Sequence, residues 1–171
     1  MMKKKNYLES YLSFTAVILF LTLLVTGCSK EGTTTRDLNG NFSTTFQFMP
    51  LEFTPDGEVA TANTPIEGTG SFQGMGNAEV SINQLIDFTV VPTSMTGNSK
   101  FIFNGSDEIW TEFNASSSFP DAQQNITYTG IHTITGGKGI YSNATGLADL
   151  TGTANLISST GSFTLTGEIE Y

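Results

Sequence analysis

Phe163-Thr164-Leu165-Thr166-Gly167-Glu168-Ile169-Glu170-Tyr171 alternates without a fault. Phe163, Leu165, Gly167, Ile169 and Tyr171 fall on one side, and Thr164, Thr166, Glu168 and Glu170 on the other. A period of two, with one apolar and one polar face, is the signature of a strand that buries one side and wets the other. The same period recurs upstream. Ala148, Leu150, Gly152, Ala154 and Leu156 oppose Asp149, Thr151, Thr153 and Asn155, while Ile126, Tyr128, Gly130, His132 and Ile134 alternate with Thr127, Thr129 and Thr133. Phe72, Gly74, Gly76, Ala78, Val80 and Ile82 read as another strand, and Phe42, Thr44, Phe46 and Phe48 share one parity. From about Asn41 onward no stretch sustains a 3.6-residue apolar period.

Turn signals separate these runs: Pro55-Asp56-Gly57, Gly97-Asn98, Asn104-Gly105, Pro120-Asp121, Gly136-Gly137-Lys138-Gly139 and Thr160-Gly161. Roughly eight strands joined by short connections predict a single antiparallel all-β domain over residues 41–171. Small residues recur on the apolar parity, at Gly74, Gly76, Ala78, Gly130, Gly152, Ala154 and Gly167. Strands that bend strongly around a narrowing interior need such positions, so a β-barrel is expected rather than a sandwich.

The composition excludes several functions. The chain has 171 residues, with seven Lys and Arg against sixteen Asp and Glu, one His and one Cys. One cysteine rules out an internal disulfide framework and a thiolate zinc cluster, and one histidine leaves no His-rich metal site. A net charge of −9 is wrong for holding a phosphate backbone. Neither a cofactor, a metal nor a nucleic-acid partner is expected.

Residues 1–27 read as an address. Lys3, Lys4 and Lys5 precede an apolar run from about Tyr11 to Val25, ending in Leu24-Val25-Thr26-Gly27-Cys28, the order of a secretory signal. The ending is similar to a bacterial lipoprotein lipobox, which implies that Cys28 becomes the acylated N-terminus and that acyl chains are the contact with the membrane. Ser29, where an Asp tends to mean inner-membrane retention, leans toward the outer membrane. Lys30-Glu31 resembles the short charged surface-export signal of Bacteroidetes lipoproteins. Residues 28–40, with Thr33-Thr34-Thr35 and no apolar period, read as a flexible tether. From Cys28 onward four cations face fifteen acids, so the body is repelled by anionic lipid.

The string from Gly130 through Gly136-Gly137-Lys138-Gly139 to Ala144-Thr145-Gly146, continued by Leu150-Thr151-Gly152 and Thr160-Gly161 to Ile169, resembles the strand and Gly-Gly-x-Gly turn pattern of the allene oxide cyclase-like and dirigent-like barrels. It is similar especially to small bacterial secreted or lipid-anchored relatives. Gly68-Thr69-Gly70-Ser71-Phe72-Gln73-Gly74 resembles their Gly-rich early strand. The resemblance implies an allene oxide cyclase-like, calycin-like barrel. It carries no catalytic residue onto this sequence, because none of the family's interior polar residues can be matched one by one. Gly136, Gly137 and Gly139 are expected to shape a structural turn, after which Gly146 opens the next strand, since neither a Lys-Ser/Thr pair nor a helix start follows to make a phosphate cradle.

Three side chains stand out as candidates. His132 and Tyr128 share the apolar parity and are expected inside the barrel, as ligand contacts or as hydrogen-bonded core groups. Trp110 lies in the acidic stretch Asp107-Glu108-Ile109-Trp110-Thr111-Glu112 on the polar parity with Glu108 and Glu112, a candidate surface contact. With no nucleophile–base pair set by a motif, the expected protein is an outer-membrane-anchored lipoprotein, periplasmic or surface-exposed. Its non-catalytic barrel, with a wholly apolar or small inward face, would bind a small apolar ligand or a partner protein. The alternatives are a barrel isomerase or cyclase acting on an oxidised lipid, which needs a cavity with polar groups such as His132 or Tyr128, and a purely structural surface component.

Overall fold

The computed structural model describes residues 32–171; the signal sequence, Cys28 and Ser29 lie outside the described residues. Nine antiparallel strands follow one another: β1 (Thr35–Phe46), β2 (Met49–Phe53), β3 (Val59–Phe72), β4 (Gly76–Asp87), β5 (Thr93–Phe103), β6 (Asp107–Ser117), β7 (Asn125–Lys138), β8 (Thr145–Asn155) and β9 (Thr160–Glu170). A short 3₁₀ turn, Gly139–Tyr141, follows β7. Each strand from β3 onward pairs with the next, β9 returns to β1, and β1 also pairs with β3 from Gly40↔Phe72 to Phe46↔Ile66. That last pairing closes an eight-stranded barrel and leaves β2 as an extra strand on the outer part of β3.

Closure has a measurable stagger. Starting at Arg36, the register runs through Ile169, Gly146, Ile134, Thr111, Ser99, Ile82 and Ile66 and returns to β1 at Phe46, ten residues further on. Eight strands with such a stagger tilt steeply and enclose an interior able to hold side chains or one small ligand. The inward residues change along the axis. At one end Phe42, Phe72, Phe101 and Phe163 pack ring on ring, with centroids 5.0–5.2 Å apart. Tyr141 and Tyr171 meet edge to face at 4.8 Å beyond them. This end is full. Each buried Phe contributes about 1.5–3 kcal/mol of apolar transfer.

The structure corrects the expected boundaries at five places. β1 begins at Thr35 and buries Leu38 to 1% exposure, and the backbones of Thr34 and Tyr171 exchange hydrogen bonds of 2.7 and 3.0 Å. Residues 35–40 are therefore strand rather than tether, and the barrel's two termini meet at its filled end. The run from Phe72 to Ile82 is two strands. Gly74 and Gly76 take φ of +75° and +101°, and the Met75 amide donates to the Phe72 carbonyl. Alternation survives the hairpin only because Phe72 and Gly76 face one another in register.

Gly97-Asn98 is no turn but the middle of β5; a β-carbon on Gly97 would strike the Asn83 carbonyl of β4 and then crowd the Phe113 ring. Gly136 and Gly137 are strand residues of β7, beside a bulge at Thr135. A side chain on Gly137 would strike the Glu108 carbonyl. The reversal itself is made by Gly139, at φ +67°, and the residues after it, while Gly146, at φ +152°, is already in β8. Thr160-Gly161 likewise opens β9, and the turn before it is Leu156–Ser159.

Candidate ligand pocket

At the other end the barrel opens. A cavity of about 470 Å³ runs inward from the mouth, within the range of roughly 300–1,000 Å³ typical of small-molecule sites. Its walls come from the halves of the strands remote from the phenylalanine cluster: Ile66 on β3, Ile82 and Ile86 on β4, Met95 on β5, Phe113 on β6, Ile126 on β7, Leu150 and Ala154 on β8. Phe163 and Phe113 form its inner boundary. The lip is aromatic. Phe48 and Phe88 meet edge to face at 6.0 Å, and Phe48, Phe88 and Phe119 are 48%, 40% and 72% exposed. No Asp, Glu, Lys or Arg lines the space.

The interior is not wholly apolar or small, as the sequence suggests. Thr44, Thr64, Gln84, Ser117 and His132 are all buried polar residues that line the cavity. Thr64 and Gln84 are direct cross-strand partners on β3 and β4, and the Thr64 hydroxyl has no hydrogen-bond partner. Leaving a buried hydroxyl unpaired costs about 1–3 kcal/mol, and this one stands on the cavity wall. Ser99 Oγ is likewise unpaired but is not part of the cavity wall.

His132 and Tyr128, expected inside, are both there and both line the cavity. The His132 ring is 2% exposed and stacks on Phe113 at 5.0 Å and 12°. Thr111 Oγ1 lies 2.8 Å from its Nδ1. Burial pushes the imidazole down to about 4, so it is neutral at ordinary pH and its Nε2 is the ring nitrogen left for an occupant. Tyr128 donates a 3.3 Å hydrogen bond to the Ser162 carbonyl, and burial pushes its phenol up to about 12. It too is neutral. The site has polarity without charge.

Trp110 lies elsewhere. It is 44% exposed on the outer wall of β6, its Nε1 donating to Glu108 at 2.7 Å, between Lys100 on β5 and Gly136 on β7. It takes no part in the cavity. Two shallow depressions on the outer wall, near Gly152 and near Gly105, are open to solvent and have no buried unpaired group among their residues. Among the described residues no cluster of His, Cys, Asp and Glu gathers to hold a metal ion.

Sequence reading missed Thr64, Gln84 and Ser117. The signal was phase: Thr64 keeps step with Ala62 and Ile66, Gln84 with Ile82 and Ile86, and Ser117 with Phe113 and Ala115. Compared with known proteins, the chain matches no family model, no curated protein and no solved structure.

Proposed function

We propose that this protein is a lipid-anchored envelope protein of bacteria whose barrel is a cup for a small apolar ligand. The observation that carries the reading is the contrast between the two ends of one barrel. A core packed with phenylalanines at one end gives rigidity, while an aromatic-lipped, mostly apolar cavity at the other is left unfilled by the chain's own side chains. Stability alone favours filling such a space, since cavities cost free energy in proportion to their volume.

Cys28 supplies the anchor in this reading. The described chain enters the barrel at its filled end, where Thr34 pairs with Tyr171. Catalysis is less well supported. The cavity with His132 and Tyr128 on its wall meets the geometric requirement of a cyclase or isomerase, but His132, whose hydrogen-bond partner is Thr111, has no carboxylate on the cavity wall to act with it in acid–base chemistry. The outer-membrane address and the kinship to allene oxide cyclase-like barrels belong to the same proposal.

The test is native mass spectrometry on residues 32–171 after incubation with a bacterial envelope extract. A retained small molecule of defined mass supports the cup. A clean apo mass at saturating extract counts against it and turns the search to a protein partner.

A further inference from the structure

The polar groups in the cavity say what kind of apolar molecule it takes. Thr64 and Gln84 sit opposite one another on neighbouring strands, both on the inward face, both at least nine-tenths buried. One brings an unpaired hydroxyl, the other a carboxamide that can donate and accept. Around them the lining is aliphatic and aromatic, and no cation stands on the wall to compensate a negative charge. An ionised carboxylate entering such a space loses its water and finds no counter-charge. A neutral oxygen function finds both a donor and an acceptor.

Resting on the reading of the barrel as a ligand cup, we propose that the ligand is an apolar molecule carrying one uncharged oxygen function, a hydroxyl or carbonyl. That group is received by Thr64 Oγ1 with the Gln84 carboxamide beside it. The site therefore selects alcohols, ketones or aldehydes over the fatty-acid anions of the same chain length. Preference by an unpaired buried group is the strong form of selectivity, because a ligand that lacks the matching atom leaves the protein group unsatisfied.

The experiment uses residues 32–171 with N-phenyl-1-naphthylamine as a fluorescent occupant, displaced by 1-decanol or by decanoate at pH 7.5. The expected result is that decanol displaces the probe at a concentration about tenfold lower than decanoate, one hydrogen bond's worth or more. Thr64→Val should raise the decanol concentration needed by about tenfold while the probe's own affinity stays within about twofold. Should Thr64→Val fail to fold, Gln84→Leu is expected to act in the same direction. Decanoate competing as well as decanol, or decanol indifferent to both substitutions, overturns the proposal while the cup stands. A probe that does not bind the wild-type barrel at all overturns the cup and this proposal together.

Discussion

The hydroxyl of Thr111 and Nδ1 of His132 stand 2.8 Å apart, diagonally across the β6–β7 pairing, and both residues are 2% exposed. This contact makes an imidazole tolerable inside an apolar barrel, because it satisfies one ring nitrogen without charging the ring. Thr111→Val should destabilise the barrel by about 1–3 kcal/mol by orphaning Nδ1. His132→Leu should do the same by orphaning the Thr111 hydroxyl. Chemical denaturation of the double variant should show less than the sum of the two, with a coupling of about 1 kcal/mol. Strict additivity would mean that the pair contributes nothing.

The same histidine predicts a pH dependence. Its folded value lies near 4, against 6.5 for a free imidazole, so between those limits the unfolded chain binds more protons than the native one. Stability is therefore complete above pH 6.5, falls as the pH drops toward 4, and changes no further through this group below that. The loss amounts to about 3 kcal/mol. It appears as the difference between wild type and His132→Gln in urea midpoints measured from pH 7 to pH 4. The carboxyls of Asp87 and Asp121 are held below their usual value of 3.8, by bonds from Thr89 and from Asn125 respectively. They act at lower pH and cancel in that difference.

Much of the architecture was legible from alternation. β8 and β9 read true because every inward position is apolar or glycine, and those glycines signalled a closed barrel over a sandwich. β3 was not legible. Its inward positions Ala60, Ala62, Thr64, Ile66, Gly68 and Gly70 are mostly small or polar, so hydropathy gave it no period. β5 was hidden likewise, because Gly97, held against the Asn83 carbonyl and the Phe113 ring, looks in sequence like a turn. His132 and Tyr128 were placed by parity. Thr64 and Gln84 were not, because a polar residue becomes a candidate only once the cavity beside it is known.

The lip should control access. Phe119→Ser removes exposed aromatic surface and should change stability by less than about 0.5 kcal/mol. Phe88→Ser also loses its edge-to-face contact with Phe48 and should cost about 0.5–1.5 kcal/mol. Each should weaken an apolar probe several-fold. Thermal melts and fluorescence titration of the same samples separate the two effects. A large fall in melting temperature would show these rings to be core rather than lip.

Cys28→Ala tests the anchor. In a bacterial host the wild-type chain should incorporate labelled palmitate and mature in a globomycin-sensitive step, whereas the variant should remain an unacylated precursor. Normal globomycin-sensitive processing of the variant would remove the lipid anchor from the account.

The most direct test of the cup is to fill it. Ala154 lies on the cavity wall of β8, so Ala154→Trp should place an indole into the space. Fluorescence titration of residues 32–171 with N-phenyl-1-naphthylamine should give saturable one-to-one binding for the wild type, and none for Ala154→Trp at an unchanged melting temperature. Equal binding by both, or none by the wild type, would contradict the claim that the open end of this barrel is a ligand site.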